Sequence, residues 1–180
     1  MKWVALFSQT GSEILEVSKR LGRFPDKVIT NKQTIDKINQ ELLDSTTIWY
    51  CSKVPTTEEY LSHLPEDALV TLHGWLRIIP GEVCEKRNVV NGHPGLITQY
   101  PELKGKDPQE KAFKLEHERG GCVIHKAIEE VDAGSIISEG DISLKDLTLD
   151  EVYKNLHDLS VDLWVDYLTK GERTTVNANS

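Results

Sequence analysis

Trp3-Val4-Ala5-Leu6-Phe7-Ser8-Gln9-Thr10-Gly11-Ser12 is an unbroken apolar run that meets a short polar loop. Beyond it, Ile14, Leu15, Val17 and Leu21 recur at helical spacing until Gly22, so the stretch predicts a buried strand, a tight loop and a helix. The same grammar returns at once. Lys27-Val28-Ile29-Thr30 reads as a strand, a helical stretch follows around Ile35, Ile38, Leu42 and Leu43, and Thr46-Thr47-Ile48-Trp49-Tyr50 reads as the next strand. Strands alternating with helices imply parallel βαβ units, hence an α/β fold with a mostly parallel sheet and helices on both faces.

Working outward, a helix is expected near Glu58 to Leu64, and Ala68-Leu69-Val70-Thr71-Leu72-His73 has the near-continuous apolar character of a central strand covered on both faces. Gly74 ends it. A short helix is expected from Gly81 to Lys86, then a strand at Val89-Val90-Asn91 that stops at Gly92-His93-Pro94-Gly95. The polar ground from Leu96 to Arg119 is loop-rich, with one helix over Glu110 to Glu118. Two strands, Gly121 to Ile128 and Ser135 to Ser138, flank the turn Glu129-Glu130-Val131-Asp132-Ala133-Gly134. A terminal helix is expected to bury Val152, Leu156, Leu159, Leu163 and Leu168. The expected organisation is a single domain over 1–180, with an amino-terminal βα half at 1–92, a second half at 93–170 and a frayed tail at 171–180.

The 180 residues and 38% hydrophobic content suffice for one buried core. A net charge of −8 offers no general attraction for nucleic acid or anionic lipid. The first apolar run is too short for a signal sequence or membrane span. Cys51, Cys84 and Cys122 are odd in number and lack C-x-x-C spacing, which argues against a disulfide framework and a zinc site. A cytoplasmic protein without metal, membrane or nucleic-acid partner is the expectation. His73, His117 and His125 are expected to be structural, the aromatic residues to lie in the core, and Asp141 to Asp150 to form a solvated face.

In open α/β sheets, ligands bind beyond the carboxyl ends of the strands. There lie Ser8 to Ser12, Gly74 to Ile79 and Asn91-Gly92-His93-Pro94. Asn91 and His93 set an amide donor and an imidazole one residue apart. Acyl transfer to an amine needs such groups: the amide stabilises an oxyanion, and the imidazole moves protons between amine, intermediate and leaving group. Asp132 could accept a proton or orient the imidazole. Set against these roles, a histidine taken alone is more often a loop or satisfied core residue than a catalyst, Asn and Asp both favour turns, and Gly11-Ser12 could be helix-entry geometry alone.

Asn91-Gly92-His93-Pro94-Gly95-Leu96 resembles the N-x-H-P-[SG]-L signature of the folate-dependent formyltransferase family, and Val131-Asp132-Ala133-Gly134 resembles its companion motif. Gly74-Trp75-Leu76-Arg77-Ile78-Ile79-Pro80 resembles the segment before the signature in the phosphoribosylglycinamide branch. The resemblance implies a Rossmann-like fold that uses 10-formyltetrahydrofolate as formyl donor. By it, Asn91 polarises the formyl oxygen, His93 stabilises or protonates the intermediate, and Asp132 positions the histidine and a proton-relaying water. Leu76, Arg77, Ile78 and Ile79, with Val131, Ala133 and Gly134, are implied for the pterin pocket, and Gly11, Ser12 and Glu13 for the acceptor. The first loop departs from the G-x-G-S-N pattern, with Gln9 for a glycine and Glu13 for the asparagine. Gly105-Lys106-Asp107-Pro108 resembles instead the G-x-x-P loop of methionyl-tRNA and sugar-nucleotide formyltransferases. The implied reaction is N-formylation of a small primary amine, either glycinamide ribonucleotide or an aminosugar nucleotide, by a monomer or homodimer. The alternatives are a 10-formyltetrahydrofolate deformylase or a non-catalytic folate- or nucleotide-binding module.

Overall fold

The first strand, β1 (Lys2–Phe7), is buried from Trp3 onward in the computed structural model, which describes residues 1–170. The expected frayed tail at 171–180 lies outside the described residues. Val4, Ala5, Leu6 and Phe7 are all essentially inaccessible, so both faces of β1 are covered. It pairs in parallel with β2 (Lys27–Thr30) on one side and β4 (Ala68–His73) on the other, and β2 pairs in parallel with β3 (Ile48–Tyr50). This is the βαβ arrangement that the strand-helix alternation implies. With β5 (Asn88–His93), β6 (Arg119–Lys126) and β7 (Ile136–Ser143), the strands form a mostly parallel, seven-stranded sheet in the order β3-β2-β1-β4-β5-β6-β7.

The chain forms two compact units, one from Met1–Asn91 with Lys126–Ala133 and one from Gly92–His125 with the chain from Gly134 onward. In the first, Val4, Leu6, Ile29, Tyr60, Val70 and Trp75 belong to one apolar cluster that also takes in Ile79, Val83, Val89 and Ala127. On the other face of these strands the buried Trp3 Nε1 donates to Thr71 Oγ1 at 2.8 Å, so its one polar atom is satisfied. The helices of this unit are α1 (Ser12–Leu21), α2 (Gln40–Ser45), α3 (Thr57–His63) and α4 (Gly81–Lys86). Helix α1 ends as its sequence predicts: Gly22, with φ 70°, turns the chain, and Gly22 N and Arg23 N bond back to Lys19 O and Ser18 O.

In the second unit β6 and β7 run antiparallel, with a bulge between Ile124 and His125. Ile97, Leu103, Ala112, Cys122, Val123, Leu144, Val152 and Leu156 form its core. Its helices are α5 (Pro108–Lys114) and α6 (Leu149–Lys170).

Several elements differ from expectation for definable reasons. The helix expected around Ile35 is confined to α2, because the Asn39 side chain accepts from Glu41 N and Leu42 N and so caps a later start. Ile35 is left 63% exposed. Helix α5 begins at Pro108, a residue pre-organised for a first turn, and stops at Lys114 rather than Glu118. Glu116 takes a left-handed φ of 54° there, while Glu116 N and His117 N bond back to Phe113 O and Ala112 O. β5 does not stop at Asn91 but continues through Gly92 to His93, and β7 runs on to Ser143, taking in Asp141. The buried face of α6 is carried by Val152, Leu156, Val161, Trp164 and Tyr167, whereas Leu159, Leu163 and Leu168 are only partly covered. The aromatic residues divide: Trp3, Phe7, Tyr60, Trp75, Trp164 and Tyr167 are core, but Trp49, Tyr50, Phe113 and Tyr153 are exposed.

Candidate active site

Asn91 sits near the carboxyl end of β5, and Asp132 follows β6 in the returning segment of the first unit. Although 41 residues apart in sequence, they meet: Asn91 Nδ2 donates to Asp132 Oδ1 at 3.3 Å. The contact fixes which way the amide points, since only the NH₂ end can donate to a carboxylate. Asp132 is 8% exposed and holds a left-handed φ of 53°, a conformation that Asp and Asn adopt more readily than other non-glycine residues.

His93 closes β5 in the second unit and is 6% exposed. Its Nε2 lies 2.8 Å from Leu103 O. A carbonyl oxygen can only accept, so Nε2 carries the proton and proton exchange by this ring falls to Nδ1. Gly95 lies under the ring, since a Cβ there would stand 3.1 Å from His93 Cδ2 and Nε2 and 2.8 Å from Pro108 Cβ. The small residue of the N-x-H-P-G pattern thus makes room for the imidazole.

The segment after β4 exposes its apolar side chains: Leu76 is 58% and Ile78 63% accessible, while Ile79 is buried in the core beside Trp75 and Val83. Arg77 Nε donates to Lys53 O at 3.1 Å, and Leu76 N to Ser8 Oγ at 3.0 Å, which ties this segment to the loop after β1. Val131 is 42% exposed, Ala133 is half-buried and Gly134 is buried. The 74–83 and 126–133 segments approach each other where a Gly81 Cβ would meet the Glu129 carboxylate at 3.1 Å.

The residues expected to bind the acceptor have local partners. Gly11, at φ 77°, precedes α1, and a Cβ there would stand 2.4 Å from Leu42 Cδ2. Ser12 N donates to Thr10 Oγ1 at 3.2 Å, and Ser12 Oγ receives Asn39 Nδ2 at 3.1 Å. Glu13 Oε1 lies 2.7 Å from Nδ1 of His73, whose side chain is 1% exposed and whose Nε2 is 2.8 Å from Thr71 Oγ1. Sequence reading set His73 aside as structural. Its position at the last residue of a central strand, where α/β sheets bind ligands, is the signal that links it to Glu13.

No group of three or more His, Cys, Asp or Glu residues among the described residues is arranged to hold a metal ion. Among them, no helix is long and apolar enough to cross a membrane. Cys51, Cys84 and Cys122 are free thiols.

The chain is 26% identical over 155 residues to methionyl-tRNA formyltransferase of Thermotoga maritima, covering 84% of this chain and 45% of that protein. It is 35% identical over 103 residues to phosphoribosylglycinamide formyltransferase of Dictyostelium discoideum, covering 49% of this chain and 48% of that protein. The chain thus spans about half the length of these curated relatives. The crystal structure of phosphoribosylglycinamide formyltransferase from Campylobacter jejuni superposes with a TM-score of 0.81 at 20% identity, covering 94% of this chain and 96% of that one. The family model described as formyl transferase matches residues 4–168, a span that contains Asn91, His93 and Asp132, and the chain belongs to the formyltransferase family.

Proposed function

We propose that the protein transfers a formyl group from 10-formyltetrahydrofolate to the primary amine of a small molecule. The observation that carries this is the Asn91–Asp132 hydrogen bond near the end of β5, in a chain of the formyltransferase family. It supports an amide held in one orientation, able to stabilise developing negative charge without moving. In the reaction the amine nitrogen adds to the formyl carbon, and the C–N bond to the folate N10 then breaks. The proton lost by the amine is matched by the proton gained at N10.

Asn91 Nδ2 stabilises the oxyanion of the tetrahedral intermediate. His93, with Nε2–H held by Leu103 O, gives and takes the proton at Nδ1. Asp132, buried beside Asn91, receives the amine proton through water and keeps Asn91 aligned. The exposed Leu76, Ile78 and Val131 offer apolar surface for the flat pteridine, with Arg77, Ile79, Ala133 and Gly134 in the same two segments. Gly11, Ser12 and Glu13 lie at the acceptor side. The Glu13 carboxylate, beside His73, favours an amine acceptor that does not place a phosphate against it.

The test combines donor binding with turnover. His93→Ala and Asp132→Asn are expected to bind 10-formyltetrahydrofolate within a few fold of the parent and to lose about 10²–10⁴ in transfer, the range for a general acid or base. Normal transfer in both variants would sink the assignment. Formate release at one rate with and without amine would favour the deformylase reading instead.

A further inference from the structure

The strand that carries Asn91 and His93 has a glycine between them. Gly92 is not among the positive-φ glycines, so its backbone is one that any residue adopts. What a side chain lacks there is room. A Cβ on Gly92 would stand 2.7 Å from Trp164 Nε1, 2.9 Å from Cζ2 and 3.1 Å from Cε2. Trp164 lies in α6, is 0% exposed, and has Tyr167 edge-on at 6.1 Å. A rigid, fully enclosed indole cannot step aside as the end of a flexible side chain can.

Successive strand side chains alternate in direction, so Asn91 and His93 share one face of β5 and the indole packs on the other, against bare backbone. We infer that Trp164 is a positioning residue for the transfer reaction: its indole edge, seated on Gly92, sets the height of the end of β5 and with it the aim of His93. Trp164 acts through the strand rather than on the reactants. The imidazole has little slack, since Nε2 is held at 2.8 Å by Leu103 O and the ring lies over Gly95. This inference rests on the role proposed above for His93.

The test is reciprocal rescue in the full chain. Gly92→Ala adds the methyl that the indole excludes, and Trp164→Phe removes the Nε1–Cζ2 edge. A misplacement of about 1 Å costs on the order of 10²-fold in rate, so G92A is expected to lower kcat about 10²-fold with donor KM changed by no more than about twofold. W164F is expected to lower kcat about tenfold as β5 settles toward the gap. The double variant is expected to exceed either single variant. Leu156→Ala, a core truncation on the same helix, controls for lost stability and is expected to lower Tm while keeping kcat. The imidazole resonances of His93, read by NMR on ring-labelled protein, are expected to move in G92A and return in the double variant. A folded G92A with parental kcat and unmoved His93 resonances would overturn the inference. So would a double variant no better than G92A, or an L156A that loses kcat as much as W164F. Should G92A fail to fold, W164F and L156A decide: equal kcat in the two overturns the inference. Should the parent protein transfer formyl to no acceptor, the functional reading has failed, and the His93 resonances still decide whether Trp164 positions the strand.

Discussion

Gly11→Ala separates two roles that the first loop could play, and the structure gives its cost. Gly11 holds φ 77°, where an L-residue pays about 1–2 kcal/mol. The new methyl would also stand 2.4 Å from Leu42 Cδ2, and Leu42 is 0% exposed, so it can yield only by displacing its neighbours. Overpacking of this kind costs about 1–3 kcal/mol. The sum is about 2–5 kcal/mol, or roughly 4–20 °C in Tm at this chain length. The assay is thermal unfolding followed by circular dichroism, on Gly11→Ala, Leu42→Ala and the double variant. Leu42→Ala opens the space the methyl needs, so the double variant should be more stable than the sum of the two losses predicts by about 1 kcal/mol or more. Strict additivity would refute the steric part. An unchanged Tm with abolished turnover would refute the architectural reading and give Gly11 to the acceptor.

Asp132→Asn is the informative change at that position, because φ 53° suits Asn but strains Ala; we expect Tm within a few degrees of the parent and kcat reduced about 10²-fold or more. Asp26 accepts Trp3 N at 2.8 Å and pairs with Arg23, which together hold its carboxyl below the ordinary range. A depressed acid stabilises the fold above its unfolded pKa and loses that contribution as pH falls through the folded one, so the Asp26→Asn difference in urea midpoint should be present at pH 7 and shrink below about pH 4. Burial, aided by Glu59, pushes the Cys51 thiol up to about 11 and also raises that of Cys84. Alkylation of Cys51 at pH 7.5, followed by mass spectrometry, should run on the order of 10²-fold slower than a free thiol, and full labelling within minutes would contradict this.

The strands that read cleanly from sequence are those whose both faces are covered. β1 is a continuous apolar run from Trp3 to Phe7 and β4 a near-continuous one, the pattern of strands covered on both faces. Reading failed where a single contact overrides the local pattern. Nothing in the spacing of Ile35 and Ile38 reveals that the Asn39 side chain caps a later helix start, and Gly92 looks like a turn glycine until Trp164 is placed against it. Glu116 closes a helix from the left-handed region, a place where glycine would have been the visible signal. The candidate site was legible in part: motif order pointed to Asn91 and Asp132, which do meet across 41 residues. The Glu13–His73 contact was not, because neither residue stands in a pattern that names the other and only the folded sheet brings α1 beside β4.

The central claim is that the Asn91–Asp132 site passes formyl to an amine. The direct measurement is to incubate the protein with 10-formyltetrahydrofolate and a panel containing glycinamide ribonucleotide and aminosugar nucleotides, following tetrahydrofolate by absorbance and product by mass. The account predicts an N-formylated amine formed in equal amount with tetrahydrofolate, for at least one acceptor, and its loss in Asp132→Asn. Tetrahydrofolate formation that no amine accelerates, or donor binding with no formyl chemistry at all, would contradict it.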